Sequence, residues 1–200
     1  MSCESVGADF LSRLLDVIEH DILPKTKEAV QEGNKVFGAA VIRKRDLELV
    51  AADTNKELEW PLLHGEVSCL RTYNQLKERP NPKDCIFIAT HEPCPLCLSA
   101  ITWSGFDNFY YLFSYNDTKD AFNIPHDLKI LKEVFNCENG EYARVNDFWR
   151  ANDIAVLAQG IQDKEQCRSL KLRLSTLKQK YEDMSKMYQD SKKDNDIPLA

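Results

Sequence analysis

What this chain lacks narrows its class. No apolar stretch approaches the roughly 18 residues of a membrane-spanning helix, and Met1 to Phe10 has no basic segment leading into an apolar core. A secreted disulfide framework is argued against by the cysteines, which are seven in number, irregularly spaced and close together only at Cys94 and Cys97. Cations are too few for a broad grip on a phosphate backbone: 26 Lys and Arg stand against 32 Asp and Glu, a formal net charge of -6. Internal repeats are missing too. These absences predict a reduced, cytoplasmic chain with neither a membrane nor a nucleic-acid partner, and a small neutral molecule as the simplest substrate.

The composition that remains is 43% hydrophobic and 29% charged, an ordinary globular mix. A length of 200 residues suffices for one sizeable core. Leu11, Leu14, Leu15, Ile18 and Ile22 recur at helical spacing, and Pro24 is expected to kink or end that helix. Residues 35–43 and 47–52 read as strands, joined into an antiparallel hairpin by the polar turn Arg43-Lys44-Arg45-Asp46. His64 opens a helical segment through Val67, Leu70 and Leu76, which Pro80-Asn81-Pro82 stops. Residues 85–90 form a short apolar strand, 93–104 a helix with Pro93 or Pro95 in its first turn, and 109–113 another strand. The alternation predicts an α/β layered fold.

Beyond Ser114 the pattern is weaker. Residues 127–135 look helical and 145–161 are mixed. From Leu170, apolar side chains fall at 170, 174, 177, 181, 184 and 188, a coiled-coil-like alternation of four and three. A helix packed on its own domain explains so short a seam better. The expected organisation is a catalytic domain over 1–160 and a helical extension over 161–200, with 191–200 disordered.

The chemistry concentrates in two motifs, His64-Gly65-Glu66 and Pro93-Cys94-Pro95-Leu96-Cys97. One histidine and two cysteines suit Zn²⁺, and three protein ligands leave one coordination position open, as in catalytic rather than structural zinc sites. Cys94 and Cys97 stand three apart, so at a helix N-terminus both sulfurs face one ion, where the helix dipole favours thiolates. Glu66 follows His64 by two positions and is placed to shuttle a proton rather than to ligate. A closed structural site needs a fourth ligand, for which Cys69, Cys85 and His91 are the candidates. The first two read better as core, and His91 as a residue lining the site. The joint pattern H-x-E with P-C-x-x-C is the zinc-deaminase signature, far more specific than a lone C-x-x-C.

On these residues the chain resembles the cytidine deaminase superfamily, and within it the short bacterial-type guanine deaminases, over residues 8–135. The matching stretches are Phe37-Gly38-Ala39-Ala40-Val41, Asn55, His64-Gly65-Glu66-Val67, Glu92 to Leu98 with Ala100, Ile101 and Trp103, and Asp127 with Ile130, Lys132 and Glu133. The resemblance implies a three-layer fold, a mixed five-stranded sheet flanked by helices. It implies Zn²⁺ on His64, Cys94 and Cys97 with Glu66 as proton shuttle. It further implies Asn55 bonded to the base, a pocket formed by Phe37, Gly65, Pro93 and Trp103, and Asp127 against the departing amino group. In that family the segment carrying the aspartate is exchanged between subunits, which implies a homodimer with Asp127 acting in either chain's site.

The sequence departs from that pattern on the substrate side. Gly65 stands where alanine is common, a glycine that fungal-type cytosine deaminases share. The loop between Asn55 and His64 is short, and Pro125-His126 replaces a Phe-Asp pair. The expected function is therefore hydrolytic deamination of a nucleobase or nucleoside, guanine-type first, with a cytosine- or cytidine-type pyrimidine as the alternative. Deamination of tRNA adenosine is disfavoured by the acidic charge. A binding module that keeps zinc without catalysis is disfavoured by the presence of Glu66.

Overall fold

A computed structural model of the chain describes residues 6–199; residues 1–5 and Ala200, the outermost ends of the two expected regions, lie outside the described residues. The chain begins with helix α1 (Ala8–Val17), a π-helical turn (Ile18–Ile22) and helix α2 (Leu23–Glu32). Pro24 explains the break. Its ring nitrogen has no proton for the carbonyl one turn earlier, and the ladder widens just before it, with Leu23 N–H bonding to Ile18 C=O.

Strands β1 (Gly38–Arg43) and β2 (Leu49–Thr54) form the expected antiparallel pair. Helix α3 (Gly65–Gln75) follows, then β3 (Cys85–His91), α4 (Pro95–Trp103) and β4 (Asn108–Phe113). Helices α5 (Tyr115–Asp120) and α6 (His126–Phe135) lead to β5 (Arg150–Asp153), α7 (Ile154–Gln159) and the long α8 (Lys164–Ser191). The sheet order is β2-β1-β3-β4-β5, antiparallel from β2 to β3 and parallel from β3 to β5.

The period of two along β1 sorts the core into two layers. Ala40 and Ile42 point to the face covered by α1, α2 and α8, where they meet Leu11, Leu14, Ile18, Leu177 and Tyr181. Ala39 and Val41 point to the other face, packed by Cys69, Leu70 and Tyr73 of α3 and Ile101 of α4. All seven residues of β3 are buried, which is why that strand reads as one continuous apolar run.

The last fifth of the chain joins this core. Leu170, Leu177, Tyr181, Met184 and Tyr188 of α8 are buried in the first layer, so the seam faces its own domain. The disorder expected for 191–200 is corrected through residue 199. Asn195 Nδ2 donates to Gly33 C=O at 3.0 Å, and Ile197 is buried. Composition hid this because one apolar anchor in a polar tail leaves no period to read. Among the described residues no helix is long and apolar enough to cross a membrane.

Candidate active site and metal centre

Two helix N-termini converge at one end of the sheet. His64 is the N-cap of α3 and Cys94 the N-cap of α4, both in extended backbone conformation and neither spending its side chain on a cap. Pro95 occupies the first turn of α4, where its missing N–H costs nothing. Cys97 comes one turn on, above Cys94. The sulfur of Cys94 lies 3.4 Å from His64 Nδ1 and that of Cys97 3.7 Å from it. The ligand atoms of His64, Cys94 and Cys97 all fall within 4.8 Å of one another, and they alone form such a group among the described residues. Cys69 and Cys85 are buried in the core, so neither closes the set as a fourth ligand.

The electrostatics fit a dication. The Cys97 thiol bonds to Cys94 and, with His64, holds Cys94 well below an ordinary thiol, while burial pushes Cys97 well up. Burial, then the Cys94 charge, pushes Glu66 up to about 7. Asp127 is driven up to about 8 by burial and by Cys94 and Glu66. Burial opposes charge on His64, yet Cys94, Glu57 and Glu66 outweigh it and raise its value to about 9. These values record a surplus of negative charge around one point, which Zn²⁺ on three soft or borderline donors would neutralise.

Glu66 lies within the first turn of α3, 5% exposed, with its Oε2 at 3.3 Å from the Cys97 sulfur. Beside it opens a cavity of about 480 Å³, within the range of small-molecule sites. Phe37, His64, Cys94 and Asp127 line it, joined by Leu62, Ile124 and the terminal Pro198-Leu199. Asp127 therefore reaches the pocket of its own chain.

Four expected pocket residues stand elsewhere. Trp103 is 90% exposed at the end of α4 and does not wall the pocket. Asn55 is fully buried with its amide already committed: Oδ1 accepts from Gly65 N–H and Nδ2 donates to Glu57. It holds the loop onto α3 instead of facing the cavity. The Pro93 carbonyl accepts from the Tyr115 hydroxyl, and Pro93 is absent from the cavity lining. Gly65 serves packing, since a Cβ there would lie 2.6 Å from Gly38 Cα.

Glu57 and Lys35 at the site carry no sequence signal, and Glu92 carries one only as part of the second motif. Glu57, 3% exposed, places Oε1 at 3.6 Å from His64 Nε2 and at 3.0 Å from Lys35 Nζ, itself 6% exposed. Lys35 and Glu57 line the large cavity beside His64, and the Glu57 carboxylate faces the imidazole, as a carboxylate often does beside a metal-ligating histidine. Behind Cys94, buried Glu92 accepts from Tyr115 N–H, Tyr142 Oη and Arg144. Charged residues in loops look solvated in a sequence, and only folding reveals these as buried partners.

Comparison with known proteins agrees with this architecture. The cytidine and deoxycytidylate deaminase zinc-binding region matches residues 18–113. The guanine deaminase of Bacillus subtilis (strain 168) is 30% identical over 87 residues, covering 42% of this chain and 54% of that protein, so the chain spans about half the length of this relative. The crystal structure of guanine deaminase from Bacillus subtilis superposes with a TM-score of 0.50 at 26% identity, covering 73% of this chain and 87% of that one. A structure of NE0047 in complex with 8-azaguanine shares the fold, with a TM-score of 0.50 at 17% identity over 82% of this chain and 85% of that one. Residues 18–113 are thus similar to the zinc-binding region of cytidine and deoxycytidylate deaminases, and His64, Cys94 and Cys97 all fall inside the matched span.

Proposed function

We propose that the chain is a zinc-dependent aminohydrolase that removes the amino group of a guanine-type purine. The observation that carries the reading is Asp127. Asp127 lines the large cavity together with His64, Cys94 and Phe37, and the small cavity beside it together with Glu66. Phe37 gives the ring an apolar wall. Similarity to guanine deaminases supports the choice of purine over pyrimidine.

His64, Cys94 and Cys97 would hold Zn²⁺, which would supply the Lewis acidity needed to make water a nucleophile near neutral pH. Glu66 takes a proton from the attacking water and delivers it to the departing nitrogen. Asp127 orients the amino group. Leu62, Ile124 and Leu199 add apolar surface to the cavity. The proposal includes a homodimer in the cytoplasm. Trp103, Phe148, Val134 and Phe135, each more than half exposed, offer apolar surface for a second copy.

The test is ammonia release from zinc-loaded protein across guanine, guanosine, adenine, adenosine, cytosine and cytidine. Guanine or guanosine is expected to turn over. Glu66→Gln keeps the metal and loses about 10²- to 10⁴-fold in kcat. Asp127→Asn loses purine turnover. Turnover of cytosine alone, indifferent to Asp127→Asn, overturns the purine assignment, and full activity in Glu66→Gln overturns the mechanism.

A further inference from the structure

His91 ends β3 three residues before Cys94 and is used by none of the steps above. It is 3% exposed, and its Nε2 has no hydrogen-bond partner among the described residues. Buried polar atoms are ordinarily satisfied, so an orphan beside a reactive centre points to a ligand. His91 lines a second, small cavity of about 20 Å³ together with Glu66, Asp127, His64, Cys94, Phe37 and Glu92, the last already bonded to Tyr115, Tyr142 and Arg144. That volume admits one water-sized molecule and no ring.

The ring of His91 is held rigidly. Phe37, Phe113 and Phe122 pack on it with centroids at 4.7, 4.8 and 4.8 Å. Its Nδ1 lies 2.9 Å from Thr90 Oγ1. The hydroxyl of Thr90 accepts from Gly38 N–H at 3.0 Å and donates to Gly38 C=O at 3.1 Å, standing in for one rung between β1 and β3. With that proton spent, Nδ1–H is the donor to Thr90, and Nε2 keeps a bare lone pair. Burial, which pushes the imidazole down to about 3, keeps the ring neutral.

We propose that His91 Nε2 accepts an N–H of the nitrogen that leaves the substrate, holding it in this small cavity between Glu66 and Asp127. The inference rests on the deaminase reading and assigns a further catalytic residue to it. In the reaction, water adds its oxygen to the ring carbon and the C–N bond breaks. Ammonia departs with its two original hydrogens and one proton delivered by Glu66. Ammonia is the only product small enough for the cavity, and it is rich in donors, so two carboxyls and a lone pair suit it.

The experiment compares His91→Leu, His91→Gln and His91→Asn in the full, zinc-loaded chain. Leu is expected to lower kcat about tenfold with KM little changed, the effect of one lost hydrogen bond to the reacting group. Gln carries an acceptor to the Nε2 position and restores most of the rate; Asn reaches only the Nδ1 position and does not. Wild-type kcat in the Leu variant, or rescue by Asn equal to that by Gln, overturns the role. A wild type silent on every base tested overturns the deaminase reading itself and this role with it, whereas an active wild type indifferent to His91→Leu overturns this role alone. Should the Leu variant fail to fold, ¹⁵N NMR of the wild-type histidines decides. Nε2 of His91 is expected to resonate as an unprotonated nitrogen and to shift on addition of ammonium chloride. A protonated or unresponsive Nε2 overturns the assignment.

Discussion

A methyl group on Gly65 would sit 2.6 Å from Gly38 Cα and 2.7 Å from its nitrogen, closer than backbone atoms yield without moving. Helix α3 therefore starts in direct contact with β1, and the neighbouring His64 is aimed by that contact. Gly65→Ala is expected to cost about 1–3 kcal/mol, the range of an overpacked core, and to weaken zinc binding by displacing His64. Thermal melting and a zinc titration check both effects, and unchanged values in both would show that the contact gives way freely. The same residue shows what a sequence reveals. His64, Glu66, Cys94 and Cys97 are legible because metal chemistry restricts residue type and spacing together. Asn55 and Trp103 match a family pattern by letter and Gly65 departs from it, yet packing decides what each touches: a loop, solvent and a backbone. Glu57 and Lys35 are illegible for the opposite reason, since ionisable loop residues look solvated until a fold buries them as a pair.

At the scale of elements, legibility follows periodicity. β3 and α3 were readable because a buried strand and an amphipathic helix write their environments into the chain. β5, Arg150–Asp153, is a four-residue polar strand at the sheet edge, and parallel pairing to β4 alone makes it a strand. Helix α8 is legible as a helix, and its buried seam of Leu170, Leu177, Tyr181, Met184 and Tyr188 faces its own domain. Treating it as an extension understates it. Leu177, 1% exposed, shares a core layer with Leu11, Leu14 and Ile18. Leu177→Ala is expected to cost about 2–5 kcal/mol, measured by denaturant unfolding. A loss near zero would mean that the helix rests on the domain without completing it.

For the molecule as a whole, the metal ligands close a connection that the chain makes only through the sheet. His64 and Cys94, the N-caps of α3 and α4, are separated in sequence by the whole of α3 and β3. Zinc binds the folded arrangement and not the open chain, so saturating metal at about 100 times its dissociation constant stabilises the fold by about 2.7 kcal/mol. The melting temperature is expected to rise with zinc concentration in the wild type and not in Cys94→Ser. An equal rise in both would place the binding elsewhere.

The three tryptophans divide sharply by environment. Trp149 is 7% exposed and its Nε1 donates to Thr102 Oγ1 at 2.7 Å, whereas Trp60 is 52% and Trp103 90% exposed. Optically the chain carries one shielded indole and two wet ones, so its native emission is weighted toward the red and open to aqueous quenchers. Trp103 thereby reports on its own surroundings: any molecule that settles over α4 dries that indole and turns its colour blue.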